Sequence, residues 1–351
     1  MKTLDLDYEL PEALIAAHPA ERRDGSRLLV VDGDALSDRT IDDLGSLIPS
    51  GALLVVNDTR VRRARIFGAR QGSGGRIELL FIRHVETAGD GREHWEAIGR
   101  SSKPLRVGTV VEWDEIRIEI VERSEEATLR VAVDAGGADF ERVLEARGHL
   151  PLPPYMRRSD ELGDAERYQT VYARRTASAA APTAGLHLTP DLFERLAARG
   201  VVRAELELEI GLGTFRPVTA EDLNDHPMHS ERIDVGPALV SAVAAARERG
   251  APVVAVGTTV VRALESAADL ARPGQVREMC GETRLLIQPG YRFQVVDALL
   301  TNFHVPQSTL LALVSAFAGY DAMMAAYRHA VSSRYRFLSY GDAMWIPRRR
   351  A

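Results

Sequence analysis

The sequence predicts an α/β main domain, with a mixed sheet and helices, that carries an inserted all-β, barrel-like domain. Short strands separated only by turns follow one another over residues 62–149, whereas strands alternate with helices after a proline-rich segment at 150–154. An apolar strand at Ala52–Val56 precedes the β-rich stretch and is expected to join the main sheet. We therefore assign residues 1–61 and 150–351 to the main domain and 62–149 to the insertion.

Alternating side chains identify the strands of the inserted domain. Ile116–Ile120 and Leu129–Val133 place an apolar residue at every second position, which is the period of a half-buried strand. Further strands are expected at Ile77–Ile82, Trp95–Ile98 and Thr109–Trp113. A helix is expected at Asp139–Arg147, with Gly148 as its stop. Strands this closely spaced predict a small barrel or a sandwich.

Strand and helix signals alternate in the main domain. Thr189 and Pro190 have the residue types that cap and begin a helix, and Gly200 is placed to end it. The later elements are expected to be a strand at Glu205–Ile210, a helix at Pro237–Arg249, a strand at Pro252–Val256, a helix after Gly257, strands at Arg284–Ile287 and Gln294–Leu300, and two C-terminal helices. This order predicts a layered α/β fold.

The composition excludes several classes of protein. The single cysteine, Cys280, rules out a disulfide framework, a zinc ribbon and a three-cysteine iron–sulfur site. No apolar stretch reaches the ~20 residues that cross a bilayer, and the N-terminus lacks a signal-peptide core, so we expect a cytoplasmic protein with no membrane partner. A net charge of −6 argues against a nucleic-acid partner, but arginines cluster at residues 60–70, at Arg157 and Arg158, and around Tyr335. Solvated arginines and RNA contacts both remain open interpretations.

Four polar loops are expected where predicted strands end, which is where open α/β sheets bind ligands. They are Asn57–Arg60, Gly213–Phe215, Gly257–Thr259 and Thr301–His304. The third leads into a helix that carries Arg262 and Glu265. Each loop alone has the composition of an ordinary turn, but their shared position at strand ends favours a binding site.

Three histidines outside the Thr301–His304 loop are candidates for chemistry. His187 lies in a loop rich in proline and glycine, and His226 and His229 lie close to carboxylates. The last two suggest zinc, but His-x-x-His across a proline is not a helical ligand pair and no third ligand is evident, so acid–base or hydrogen-bonding roles are favoured. The glycine signatures of Rossmann, Walker and ordinary methyltransferase sites do not occur in the sequence.

Nine segments in order resemble the S-adenosylmethionine:tRNA ribosyltransferase-isomerase family of queuosine biosynthesis. They are LLVVNDTRV (53–61), LPLPPYMRR (150–158), ERYQTVYA (166–173), AAPTAGLHLT (180–189), GTFRPV (213–218), DHPMHSE (225–231), VVAVGTTVVRALES (253–266), VVDALLTNFHVPQSTLLALVSAFAG (295–319) and YRFLSYGDAMWI (335–346). The resemblance implies an α/β part interrupted by a barrel-like part. It also implies a reaction at the wobble base of the tRNA anticodon stem-loop.

In that reaction S-adenosylmethionine is a consumed co-substrate rather than a cofactor. Its ribosyl part is transferred to 7-aminomethyl-7-deazaguanine, which gives epoxyqueuosine in tRNA and releases adenine and methionine. The resemblance implies no metal and no redox cofactor, and we expect a monomer. The 5′ carbon beside the sulfonium must lose a proton, adenine must gain one, and the attacking amine must be uncharged.

We assign roles to residues within the matching segments as hypotheses. His187 is the expected base at the 5′ carbon, His304 the expected acid near adenine, and His229 with Glu231 the expected acceptor of the amine proton. The expected substrate-binding residues are Asn57, Asp58, Arg60, Thr183, Gly185, Gly213, Thr214, Phe215, His226, Gly257, Thr258, Thr259, Arg262, Glu265, Asn302 and Phe303.

Some of these binding residues have a more specific expected task. The loop 257–259 at a helix start is expected to hold the methionine carboxylate. Asn57, Asp58 and Asn302 are expected to read ribose hydroxyls or a base edge, and Phe215 or Phe303 to stack on the wobble base.

Two other functions fit parts of the pattern. An ordinary methyltransferase would use the same donor but produce S-adenosylhomocysteine. A non-catalytic RNA-binding module would bind tRNA without consuming S-adenosylmethionine, and it would leave the polar strand-end loops unexplained.

Overall fold

The computed structural model describes residues 1–124, 128–211 and 218–347. The strands are β1 (Arg27–Asp32), β2 (Ala35–Thr40), β3 (Leu53–Asn57), β4 (Thr59–Val61), β5 (Arg65–Arg70), β6 (Arg76–Thr87), β7 (Glu93–Ser101), β8 (Val110–Trp113), β9 (Ile116–Arg123), β10 (Leu129–Asp134), β11 (Arg175–Ser178), β12 (Val202–Leu208), β13 (Glu231–Val235), β14 (Val253–Val256), β15 (Met279–Thr283), β16 (Ala298–Asn302) and β17 (Ala343–Pro347). The helices are α1 (Leu44–Leu47), α2 (Phe140–Arg147), α3 (Asp164–Arg167), α4 (Pro190–Ala198), α5 (Pro237–Glu248), α6 (Thr258–Ser266), α7 (Thr309–Ala318) and α8 (Tyr320–Ser332).

A nine-stranded mixed sheet forms the main fold, in the order β15-β13-β12-β3-β14-β16-β17-β1-β2. Its centre, β12-β3-β14-β16, is parallel. Leu53 and Val55 face one hydrophobic core, which includes residues of α5 to α8, while Leu54 and Val56 face a second core that includes residues of α4. Burial on both faces explains why β3 is apolar at every position from Leu53 to Val56. The predicted α/β main fold is therefore confirmed.

The strands β5 to β10 close into a barrel, in the order β10-β7-β6-β5-β8-β9. Helix α2 adds the buried side chains Phe140 and Leu144 to the barrel core, and the Trp95 ring packs edge-on against Phe81 and Phe140 at 5.9 and 5.7 Å between centroids. Asp139 caps α2 by accepting a hydrogen bond from Arg142 N. The barrel is thus confirmed and the sandwich alternative is wrong; the limits 62–149 for the insertion stay a prediction.

Two predicted strands are misplaced. The edge strand is Met279–Thr283, and the chain leaves the sheet over the predicted Arg284–Ile287. The next strand begins only at Ala298, because the amides of residues 294–296 donate to the carboxylate of Glu265 instead of to a neighbouring strand. Buried backbone donors need an acceptor, and here a side chain supplies it.

The arginines near the start of the barrel mainly form ion pairs and hydrogen bonds that connect parts of the fold. Arg62 pairs with Glu141 of α2 at 2.7 Å, Arg63 donates to the Gly148 carbonyl, and Arg65 donates to the Leu152 carbonyl. Tyr335, which lies between two arginines of the third cluster, is fully buried and donates its hydroxyl to Asp38, so its ring is not available to contact RNA.

The two C-terminal helices pack into the main core and meet at Gly319, whose φ is 93°. Across the described ranges, no single helix is long and apolar enough to cross a membrane. The pair α7 and α8 meets that criterion only when counted together, and it is bent by 115°.

Candidate active site

A cavity opens where the central parallel strands end. Its walls include the start of α6, with Gly257, Thr258 and Thr259, and the end of β16 with the loop after it, residues 301–305. The other lining residues are Tyr155, Ala180, Ala181, Pro182, Thr183, Ala184, Ile210, Ser308, Leu310, Leu338 and Ser339. The structure thus brings two of the four predicted strand-end loops together, with Thr183 from the Thr183–His187 turn. Gly213, Thr214 and Phe215 lie outside the described residues.

The start of α6 has the features of an anion site. Gly257 has a φ of 95°, a left-handed conformation that favours glycine, and it turns the chain from β14 into the helix. The first amides of a helix lack carbonyl partners within it and carry partial positive charge. The Thr259 hydroxyl is buried, at 9% exposure of the residue, and has no hydrogen-bond partner among the described residues.

His304 is held on the cavity wall by a fixed backbone. Its amide donates to the Tyr327 hydroxyl at 2.8 Å, its carbonyl accepts from the Tyr8 hydroxyl at 2.5 Å, and its Nε2 lies 3.0 Å from the Thr301 hydroxyl. Burial lowers the pKa of His304 to about 3, so the ring is neutral at neutral pH. The role of His304 as the acid near adenine stays a prediction; a ring that is neutral at neutral pH can donate a hydrogen bond or accept a proton.

His187 lies behind the cavity wall instead of on it. The Asn302 amide nitrogen lies 3.3 Å from His187 Nε2 and donates to the Leu338 carbonyl at 3.0 Å. Because the Leu338 carbonyl only accepts, the amide presents N–H to both partners, which assigns the His187 proton to Nδ1. Burial lowers the pKa of His187 to about 4. His187 is therefore a neutral ring that lies behind Asn302, and this position does not support its predicted role as the base at the donor carbon.

Asn57 is committed to the backbone. Its amide donates to the Leu208 carbonyl at 3.0 Å, and its oxygen accepts from the amides of Leu208 and Thr59 at 3.1 and 3.2 Å. The side chain is fully buried and ties the end of β3 to β12. The predicted substrate contact of Asn57 is therefore wrong, because its acceptor and one N–H are already bound within the fold.

Glu265 and Gly185 are also explained by the fold. Glu265 accepts from the amides of residues 294–296 and from the Tyr291 hydroxyl. A Cβ at Gly185 would overlap the Tyr172 hydroxyl, so glycine is required there for close packing. Neither residue lines the cavity, and their predicted substrate contacts are replaced by these structural roles.

Phe303 belongs to an aromatic cluster. Its ring is 1% exposed and packs against Tyr327, Tyr335 and Phe337 at centroid distances of 5.5, 5.5 and 4.9 Å. A base cannot stack on a ring covered in this way, so the predicted stacking role of Phe303 is wrong.

A second polar cluster lies on α6 and β13, away from the cavity lining. Arg262 pairs with Glu231, and both side chains are more than nine-tenths buried. The rings of His226 and His229 lie 6.5 Å apart, and burial lowers the pKa of His226. Among the described residues no group of three or more His, Cys, Asp or Glu is arranged to hold a metal ion.

The remaining predicted residues lie at other places. Arg60 is 4.0 Å from Glu145 of α2. Asp58 is buried beside Glu205 and Glu207; burial, and then these neighbouring charges, raise its pKa. Neither Arg60 nor Asp58 lines the cavity.

The assignment from sequence missed Tyr155 and Ser339 on the cavity wall. Their hydroxyls lie 2.5 Å apart, and burial raises the pKa of Tyr155 to about 12. Both residues fall within the matching segments 150–158 and 335–346, and membership of those segments is the signal that could have identified them.

A largely apolar cavity with a few polar groups, at the carboxyl ends of parallel strands and beside a helix start, defines an α/β protein with a ligand site of the enzyme type. A family model described as "Queuosine biosynthesis protein" matches residues 3–346. The chain therefore belongs to the queuosine biosynthesis protein family, and it is an enzyme of the transferase-isomerase class.

Similar proteins agree with this assignment. A protein of Sorangium cellulosum named S-adenosylmethionine:tRNA ribosyltransferase-isomerase is 53% identical, with 97% of each chain covered. One of the same name from Acidithiobacillus ferrooxidans is 50% identical, covering 99% of this chain and 98% of its own. The crystal structure of S-adenosylmethionine tRNA ribosyltransferase from Thermotoga maritima is 34% identical, with a TM-score of 0.54 over 97% of this chain and 99% of that one.

Proposed function

We propose that this enzyme transfers and isomerises the ribosyl part of S-adenosylmethionine onto 7-aminomethyl-7-deazaguanine at the wobble position of tRNA. The products are epoxyqueuosine in tRNA, adenine and methionine. The names of the full-length relatives support the two substrates. The observation that carries the proposal is the strand-end cavity, which combines a helix start, a neutral imidazole and apolar walls.

The cavity offers a separate environment to each part of the donor. The methionine carboxylate is placed at the start of α6, where the amides of Thr258 and Thr259 and the unpartnered Thr259 hydroxyl favour an anion. The adenosyl part is placed against the apolar residues Ile210 and Leu338, with Asn302 at the polar edge. None of the described lining residues is a carboxylate or carries a full positive charge.

Proton transfer in this proposal centres on His304 and Tyr155. The neutral His304 ring accepts the proton that the 5′ carbon loses; the adjacent sulfonium makes that carbon acidic, and the lowered pKa of His304 makes the ring a weak base that holds the proton only briefly. The buried Tyr155 hydroxyl is protonated at neutral pH and is placed to donate as adenine leaves. The aminomethyl nitrogen then bonds to the ribosyl carbon, and methionine leaves as a neutral thioether when the epoxide closes.

The proposed reaction draws on the donor's own leaving groups, so we propose that it needs no metal and no cofactor. S-adenosylmethionine is consumed as a co-substrate. We further propose that the protein works in the cytoplasm, where tRNA is modified, and that one chain forms a complete site.

Product analysis tests the proposed function. The purified protein is incubated with aminomethylated tRNA and S-adenosylmethionine, and adenine, methionine and S-adenosylhomocysteine are quantified by chromatography. Adenine and methionine in equal amounts support the proposal. S-adenosylhomocysteine supports a methyltransferase instead, and tRNA binding without donor consumption supports a binding module.

A variant at His304 tests the site. We expect His304→Gln, which keeps a hydrogen-bonding group but cannot accept the proton, to lower kcat by about 100-fold or more, the usual contribution of a general base. His329→Gln is the control, because His329 does not line the cavity; it lies on α8 and pairs with Asp38. Equal loss in both variants contradicts the assignment of His304.

A further inference from the structure

A groove of about 940 Å³ lies on the barrel, apart from the cavity described above. Strands β6, β7 and β9 and the loop after β7 line it. Four of its lining residues are basic: Arg76, Arg100, Lys103 and Arg123. Glu78 is the acidic residue among those lining it, and it pairs with Arg65 at 3.2 Å. The groove therefore presents a net positive charge, although the chain as a whole has a net charge of −6.

The basic residues of the groove differ from other arginines of the barrel. Within residues 1–124, 128–211 and 218–347, none of the four forms an ion pair with a carboxylate. By contrast, Arg83 pairs with Glu96, Arg92 with Asp90 and Arg147 with Glu115, each at 2.6 to 2.7 Å. Several unpaired cations that line one groove repel each other, so they are stabilised by an anionic partner with several negative charges.

An aromatic ring stands beside these charges. The Arg76 guanidinium lies over the Phe67 ring, 4.4 Å from its centroid, and Phe67 also contacts His149 at 5.3 Å. Phe67 pairs in register with Glu78, so both side chains are on the same side of the sheet. Cations that track phosphates, together with an aromatic platform, are typical of surfaces that bind unpaired RNA. This combination favours RNA over a phosphorylated peptide.

A short path of contacts joins the groove to the cavity. Glu78 pairs with Arg65, and Arg65 donates to the Leu152 carbonyl at 3.0 Å. Leu152 belongs to a hydrophobic cluster with Ala181 and Tyr155, which line the cavity. These contacts link the residues of the barrel groove to residues that line the cavity.

We infer that the groove binds the sugar–phosphate backbone of the tRNA anticodon arm, with one unpaired base against Phe67, while the reacting base enters the cavity. This inference rests on the proposed function, since it takes tRNA as the partner. It adds the surface that holds the tRNA, which lies on the barrel and not on the main fold.

Binding of an anticodon stem-loop tests the inference. The triple variant Arg76→Gln, Arg100→Gln, Arg123→Gln is compared with the wild-type protein by fluorescence anisotropy, using an unmodified stem-loop so that no reaction is needed. The control triple Arg83→Gln, Arg92→Gln, Arg147→Gln removes the same charge from ion-paired arginines. Thermal unfolding and S-adenosylmethionine binding verify that each protein is folded with its cavity intact.

We expect the groove variant to bind more weakly and with a smaller dependence on salt. Each lost phosphate contact reduces the slope of log K against log[salt] by about 0.7–0.9, so three contacts remove about 2–3. The ratio of the wild-type to the variant binding constant should then fall by about 20- to 40-fold between 50 and 200 mM salt. In turnover, KM for tRNA should rise while kcat at saturating tRNA stays unchanged.

Two results would overturn the inference. One is an affinity and salt slope in the groove variant equal to those of the control. The other is a Phe67→Ala protein that retains full affinity for the stem-loop, which leaves only general attraction of polyanions. Failure of the proposed function looks different: the wild-type protein binds the stem-loop in the groove but releases no adenine from S-adenosylmethionine.

Discussion

Replacing Glu265 separates a structural role from a substrate contact. In the structure this carboxylate accepts from the amides of Gln294, Val295 and Val296 at 2.8 to 3.0 Å and from the Tyr291 hydroxyl at 3.2 Å. It therefore fixes the end of α6 against the segment that leads into β16. We expect Glu265→Ala to destabilise the protein without a specific loss of donor binding.

The magnitude follows from the donors left without an acceptor. Each buried unsatisfied N–H costs about 1–3 kcal/mol, and water entering the space offsets part of this, so Glu265→Ala should lower the free energy of unfolding by about 3–5 kcal/mol. Glu265→Gln keeps the oxygen that serves Val295 and Val296 but turns an NH₂ group toward the Gln294 amide and the Tyr291 hydroxyl, and only the hydroxyl can rotate to accept from it. Its expected cost is about 1–3 kcal/mol, that of one unsatisfied donor.

Urea unfolding followed by ellipticity at 222 nm measures these differences. Most helices of the described chain lie outside the barrel, so this signal follows mainly the main fold. Glu278→Ala is the control, because Glu278 is exposed and its loss should change stability by no more than about 0.5 kcal/mol. A Glu265→Ala protein with wild-type stability that no longer binds S-adenosylmethionine would refute the structural role.

Three further predictions concern other buried groups. Asn57→Ala should cost about 3 kcal/mol in urea unfolding, because the backbone groups of residues 59 and 208 lose their partners; Asn57→Asp should cost at least as much, because it buries a carboxylate with one oxygen against the Leu208 carbonyl, and an Asp variant of wild-type stability would contradict this reasoning. Gly185→Ala should cost about 1–3 kcal/mol by overpacking, and adding Tyr172→Phe should recover part of that cost; no recovery would mean that the hydroxyl is not the obstacle. The pKa of His187 is lowered from 6.5 to about 4, so its contribution to stability is complete above pH 6.5 and is lost as the pH falls from 6.5 to about 4. His187→Gln should flatten the decline of the unfolding free energy over that interval, and an unchanged pH profile would contradict the lowered pKa.

Much of the fold could be predicted because its signals are local. The alternation in Ile116–Ile120 and the cap at Thr189 and Pro190 depend on neighbours in sequence, and both elements are where the sequence puts them. The prediction of a strand over residues 294–296 was wrong because their amides donate hydrogen bonds to Glu265, about 30 residues away in the sequence. The sequence pattern of an apolar run is the same whether its amides donate to a neighbouring strand or to a carboxylate.

The candidate site could be predicted only as a set of loops. Two of the loops predicted at strand ends, 257–259 and 301–304, line one cavity, since parallel strands end at one edge of a sheet. Position at a strand end did not show which side chains face the cavity. Asn57 and Asn302 are both asparagines at the end of a central strand. The Asn57 side chain is hydrogen-bonded to the backbone of Leu208, whereas Asn302 lines the cavity. Such a difference depends on tertiary contacts that spacing does not encode.

A crystal structure with bound S-adenosylmethionine shows whether this cavity is the active site. We expect the methionine carboxylate to lie within hydrogen-bonding distance of the Thr258 and Thr259 amides and the Thr259 hydroxyl, with the 5′ carbon near His304. Donor bound elsewhere, for example beside Asp58 or against His226, would contradict the assignment of this cavity as the active site.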